Sequence, residues 1–202
     1  MQKNYFGGSM LKKIKKPTWS TFLVSGSTAV FAIISLISVF ITINTWQTQR
    51  EAARPYFSFK ESPSIQLTHD VSFEFKFVNV GTHPATELTS KTLVFPENLQ
   101  EQPILIDTYS VVNDIPRDTA TSLLLHLDPS QLYPAAPDLD AYYIVISLDY
   151  RDPILKETYH QIIFLKWPGV NHGHVQPLIH MEAGEKTQVI QYIQNRDLLS
   201  LP

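Results

Sequence analysis

Val71-Ser72-Phe73-Glu74-Phe75-Lys76-Phe77 alternates apolar and polar side chains without a break. A period of two over seven residues marks a β-strand with one buried and one solvated face. Working outward, Tyr56-Phe57-Ser58-Phe59 opens a strand just before it, and further strands are expected over 86–95, 104–112, 119–127, 142–150 and 158–167. Within the sixth of these seven, Tyr142-Tyr143-Ile144-Val145-Ile146-Ser147-Leu148 is apolar on both faces, as a central strand covered on both sides must be. Asp149-Tyr150-Arg151-Asp152-Pro153 is expected to turn it back into Tyr159–Leu165, since Pro presets φ and Asp bonds its own backbone. Seven strands separated by turn signals, with no helix between them, predict a mainly β domain: a two-sheet antiparallel sandwich over 56–167.

Upstream the period changes. From Thr21 to Ile43 no residue is charged, and Trp19 and Trp46 flank the run. A hydrocarbon core about 30 Å thick needs roughly 20 such residues in a helix, and indole rings favour the two water interfaces. Residues 18–46 are therefore expected to form a transmembrane anchor, preceded by a basic tail over 1–17. The run is longer than the core of a signal peptide and ends on Ile41-Thr42-Ile43-Asn44, a poor cleavage site, so the anchor is expected to stay uncleaved. Met10-Leu11-Lys12-Lys13 already supplies the charged flank, so the reading holds with translation from Met1 or Met10. Lys12, Lys13, Lys15 and Lys16 before the span predict a cytoplasmic N-terminus and an exported domain. Residues 47–55 form a connector that Pro55 ends, with Arg50 and Arg54 expected to face lipid phosphates. Ser25, Thr28, Ala32, Ser35, Val39 and Thr42, spaced 3, 4, 3, 4, 3, make a seam of mostly small or hydroxyl side chains. Such a face allows two helices to approach closely, giving a homo-oligomer or a pair with another span.

Charge separates the two parts. Residues 1–55 hold seven Lys/Arg against one acidic residue, Glu51; residues 56–202 hold nine Lys/Arg against eighteen Asp/Glu, a net charge of −9. An acidic domain is repelled by phosphate backbones, which argues against nucleic acid and leaves the membrane and another protein as partners. With no Cys, neither a disulfide framework nor a lipidated thiol exists.

Phe77-Val78-Asn79-Val80-Gly81-Thr82-His83-Pro84-Ala85 joins two strands through Asn-x-Gly-x-x-Pro-Ala. This hairpin, the Trp-ended span, Arg54-Pro55-Tyr56 and the late Tyr150-Arg151-Asp152 together resemble uncharacterised bacterial single-span membrane-anchored proteins. In those, an extracytoplasmic Ig-like, adhesion-module-like β-sandwich follows the span. The resemblance implies a fold and a place at a bacterial inner or plasma membrane. It implies no catalysis. In the motif, Asn79 and Gly81 are read as turn residues and Pro84 as the start of the next strand.

Three chemistries bear on these residues. His172 and His174 flank Gly173, and His180 follows, so three imidazoles are available to a transition metal. No carboxylate lies between them, and the loop reading is preferred: no metal, no cofactor. Asp138, Asp140, Asp149 and Asp152 lack the dense Asp/Asn/Gly loop of a calcium site. No Gly-x-Ser-x-Gly elbow and no phosphate-cradling glycine loop occur, so no catalytic residues are assigned. Residues 168–184 read as loop and Glu185–Leu199 as a short helix, with Val189, Ile190, Tyr192 and Ile193 available to dock. The sequence thus predicts an anchored binding or scaffolding module without enzymatic activity. A metal-sensing or metal-handling protein using the C-terminal histidines is the alternative, and an exported hydrolase lacking a recognisable motif comes third.

Overall fold

The computed structural model describes residues 19–67, 70–111, 113–128 and 138–200. The lysines at 12–16 and His69 lie outside the described residues. Two compact units emerge, Met1–Arg50 and Glu51–Pro202.

The first unit carries α1, which runs from Trp19 to Ala53. Its segment Phe22–Ala53 is long and apolar enough to cross a membrane, and none of its most apolar window is buried inside the protein. A helix of 35 residues is about 50 Å long, so it outruns a hydrocarbon core of about 30 Å. Hydroxyls along it bond their own backbone: Thr28 Oγ1 donates to the Val24 carbonyl and Thr42 Oγ1 to that of Ser38. Arg50 lies 5.7 Å from the centre of the Trp46 ring.

In the second unit two antiparallel sheets close on a shared core. The first is centred on β3 (Val71–Asn79), whose residues alternate buried and half-buried along its whole length. β1 (Phe57–Phe59) and β2 (Ser64–Leu67) pair with the two ends of one edge of β3, and β6 (Ala120–Leu127) with the other. The second sheet has the order β11-β8-β7-β4-β5. Its strands are β4 (Thr86–Pro96), β5 (Leu105–Val111), β7 (Tyr142–Asp152), β8 (Glu157–Trp167) and β11 (Ile179–His180). Phe73, Phe75 and Phe77 from the first sheet meet Ile144, Ile146 and Leu148 from the second. Each large apolar side chain so buried contributes about 1.5–3 kcal/mol.

The central-strand reading of 142–148 has a physical explanation here. Even-numbered residues of β7 enter the core between the sheets. Tyr143 and Val145 face outward against α2 (Ala183–Asn195), which covers that side with Val189, Tyr192 and Ile193. The helix begins earlier than expected because Glu185 Oε2 accepts the Glu182 backbone N–H and satisfies its first turn. Glu185 Oε1 and Glu97 Oε1 both accept from Lys166 Nζ, at 2.6 and 2.5 Å.

The seven expected strands all form, but the count is too low. β2, β11 and the hairpin of β9 (Val170–Asn171) and β10 (His174–Val175) bring it to eleven among the described residues. Strands of two residues carry no readable alternation, which is why 168–184 reads as loop. The β7–β8 turn also falls later than expected. β7 continues to Asp152, whose Oδ1 accepts the N–H groups of Ile154 and Leu155 at 2.8 and 3.0 Å. That side-chain bonding fixes the turn at Pro153–Lys156 instead of starting it at Asp149.

Candidate functional site

The densest polar construction in the domain lies where the chain enters it, at residues 53–57. Asn79, fully buried at the end of β3, holds four partners. Its Oδ1 accepts the backbone N–H of Tyr56 (3.2 Å) and of Gly81 (3.0 Å), and its Nδ2 donates to the carbonyls of His83 (2.8 Å) and Ile115 (3.1 Å). An amide is the side chain that both donates and accepts from one planar group, so no carboxylate or aliphatic residue replaces it. The His83 N–H donates to the Ala53 carbonyl and the Val80 N–H to that of Tyr56, both at 2.8 Å. Tyr150 OH donates to the Pro55 carbonyl, and Gln161 bonds both the N–H and the carbonyl of Phe57. Every residue from Ala53 to Phe57 except Arg54 is thus tied by its backbone to the sheets or to the β3–β4 connection.

Arg54 is tied in other ways. Its guanidinium lies 5.6 Å from the centre of the Tyr159 ring. Its carbonyl packs so closely on Gly81 that a Cβ there would collide with it and with Pro55 Cα. At Gly81 the missing Cβ lets backbone pass against backbone, and its N–H bonds Asn79 Oδ1 within the β3–β4 connection. Pro84 precedes Ala85, whose N–H and carbonyl both pair with Ile115 just before β4 begins.

A histidine–carboxylate hydrogen bond lies within this root. Asp152 is fully buried and its Oδ2 accepts from His83 Nδ1 at 2.7 Å; a carboxylate only accepts, so Nδ1 carries the proton. Burial pushes the Asp152 carboxyl up, but the His83 bond and the two turn N–H groups outweigh it and hold it below the usual carboxylate range. Sequence reading missed this pair because 69 residues separate its members and neither has a distinctive neighbour. The available signal was Tyr150-Arg151-Asp152 ending a strand that is mostly apolar up to Leu148.

The other candidate residues do not converge. His172 sits at φ 50° in the β9–β10 turn, His174 is in β10 and His180 in β11, all three exposed. Among the described residues no three His, Cys, Asp or Glu side chains are placed to hold a metal ion. Asp138 accepts from the Gly173 N–H, Asp149 pairs with His160 and Asp152 with His83, so these three carboxylates serve three separate contacts. Ser147, Asp149, His160 and Lys91 share one hollow on the outer face of the second sheet. Asp149 Oδ1 accepts from His160 Nδ1 at 2.7 Å, yet His160 Nε2 has no partner and Lys91 Nζ donates to the Leu198 carbonyl. The relay from serine to imidazole that a hydrolase needs is not assembled. Trp19 and Trp46 stand exposed at 81% and 58%, near the two ends of the apolar run.

No protein-family model and no curated protein matches the chain. Among solved structures it is similar to the X-ray structure of Northeast Structural Genomics Consortium target SoR45. The TM-score is 0.37 and the identity 16%, over 65% of this chain and 96% of that one. A likeness so loose carries no argument about activity.

The last feature is an open side of the sandwich. β5 pairs with β4 alone and β6 with β3 alone among the described residues. Ile106 and Tyr109 on β5 and Leu124 on β6 are about half exposed, at 51%, 49% and 56%. On the opposite side, the Gln161 side chain links β8 to β1 by two hydrogen bonds, and β11 covers the end of β8.

Proposed function

We propose that this chain is a single-span protein of a bacterial inner or plasma membrane that presents an acidic, Ig-like sandwich outside the cytoplasm and binds another protein there. One observation carries the reading: an apolar helix with no cover from its own protein leads directly into a domain whose first residues are bonded in place. Lipid is the solvent that satisfies such a helix, and closely bonded entry residues suit a domain that is held and displayed. Catalysis is not part of the proposal. The experiment is protease protection. Protease added to spheroplasts is expected to digest residues 51–202 and spare a tag placed before Lys12. A domain that resists until the membrane is lysed reverses the orientation.

The seam on α1 adds a second element, pairing of two spans. Thr28 and Thr42 already spend their hydroxyls on their own helix, so close packing of small side chains drives association. Ala32→Leu with Ser35→Leu is expected to reduce the signal of a span–span association reporter in a bacterial membrane several-fold. Ile33→Leu with Ile37→Leu, off the seam, is expected to leave it within about a factor of two. Equal behaviour of the two double variants removes the seam from the proposal.

A further inference from the structure

We infer that β5 is the docking strand of this domain, and that its partner is an extended, basic-and-apolar segment of another protein, added to the sheet edge by backbone pairing. The inference rests on the binding-module reading above and names the chemistry of the partner. β5 presents seven residues, Leu105–Val111, bonded on one side only among the described residues. At about 3.3 Å per residue that edge is some 23 Å long, the reach of a seven-residue extended peptide. The opposite edge of the same sheet is partly covered, since β11 pairs with Leu165 and Lys166 of β8 and the Gln161 side chain ties β8 to β1.

Side-chain placement selects the occupant. Tyr109 pairs with Ser90 and Asp107 with Thr92 across β4, and Ser90 and Thr92 are buried on the sheet's inner side. Tyr109, Asp107, Leu105 and Val111 therefore share the face that looks toward β6. There Tyr109 and Val111 line a narrow apolar crevice with Leu88, Leu123 and Leu148. An added strand lays alternate side chains along this face, where apolar ones cover Tyr109 and Val111.

Asp107 decides the charge. An inward-pointing charge on an edge strand discourages indiscriminate pairing, and a like charge placed opposite is unfavourable. A Lys or Arg opposite removes the objection. The surroundings act the same way: residues 97–118, β5 with its flanking loops, hold five acidic residues and one Arg, a net charge of −4. A second copy of this acidic edge is repelled, which leaves a basic segment as the complementary strand.

The test uses the full chain in nanodiscs. The probes are fluorescent heptapeptides alternating Val with Lys, alternating Val with Glu, and the Val/Lys peptide N-methylated on alternate residues along one edge, in both registers. Val/Lys is expected to bind at least tenfold more tightly than Val/Glu, and to slow amide exchange over 105–111 while leaving β8 unchanged. At least one N-methylated register is expected to lose most of the binding, since it cannot complete the ladder. Asp107→Lys is expected to invert the preference between Lys and Glu peptides. The exchange pattern of its other strands reports whether this variant is folded. Absence of Val/Lys binding at millimolar peptide, protection at another edge, or full binding by both N-methylated peptides overturns the proposal. Binding with no exchange protection shows surface charge attraction only and also overturns it. Failure here leaves the topology assay untouched, whereas a reversed topology removes the binding-module reading itself.

Discussion

Trp167→Ala is expected to destabilise the domain by about 3–5 kcal/mol, the cost of deleting a fully buried aromatic side chain. Trp167 joins three parts of the fold at the end of β8. Its ring meets Phe73 of the first sheet edge-on, with centroids 5.1 Å apart and planes at 83°. It stacks on Tyr142 of β7 at 6.0 Å and 25°, and its Nε1–H donates to the Gln176 carbonyl beyond the β9–β10 hairpin at 3.0 Å. Removal opens a cavity between the sheets and strands a carbonyl. Trp167→Phe separates the two effects. It retains most of the ring contact and loses only the hydrogen bond, a cost of about 1–3 kcal/mol plus a smaller packing loss. Urea unfolding of the full chain in micelles, followed by circular dichroism, measures both. If Ala costs less than about 2 kcal/mol, or no more than Phe, the residue does not bridge the sheets as described.

The second large effect belongs to Asp152. Asp152→Ala leaves His83 Nδ1 and two turn N–H groups without their acceptor, and each donor so stranded costs about 1–3 kcal/mol. Asp152→Asn preserves the volume and one acceptor oxygen for the turn but removes the charge. The sign of the pH dependence follows from the direction of the shift. The folded carboxyl is held below its usual range, so the stability it supplies is fully present above the unfolded value of about 3.9. That stability is lost as pH falls through the lower folded value. Wild type is therefore expected to lose stability more steeply than Asp152→Asn below about pH 4. Urea midpoints across that range measure this. Parallel curves through the acid range, or a wild type that gains stability as pH falls, contradict the assignment.

Both predictions concern side chains whose importance depends on distant partners, and the same distinction separates what was legible in the sequence from what was not. Periodicity determined the large pieces. An uninterrupted charge-free run of this length forms an apolar helix long enough to cross a membrane, and Val71–Phe77 can bury its phenylalanines only as a strand. The doubly apolar 142–148 required cover on two sides, and the structure supplies the opposing sheet on one and α2 on the other. Those features arise from the spacing of neighbouring residues, which the sequence displays directly.

Tertiary structure alone decided the rest. Asn79 and Gly81 were visible as a local motif, but not that Asn79 bonds Tyr56, 23 residues before it, or that Gly81 yields to the Arg54 backbone. The His83–Asp152 pair, the Gln161 clasp on Phe57 and the open edge of β5 all depend on which strands become neighbours. Strand order is set by the summed burial of two sheet faces and one helix, a quantity no short window contains. The two-residue strands of 170–180 exist only because β8 and one another offer them backbone partners. The apolar helix, the strands and the acidic charge are therefore properties of the sequence, while the bonded root and the free edge are properties of the fold.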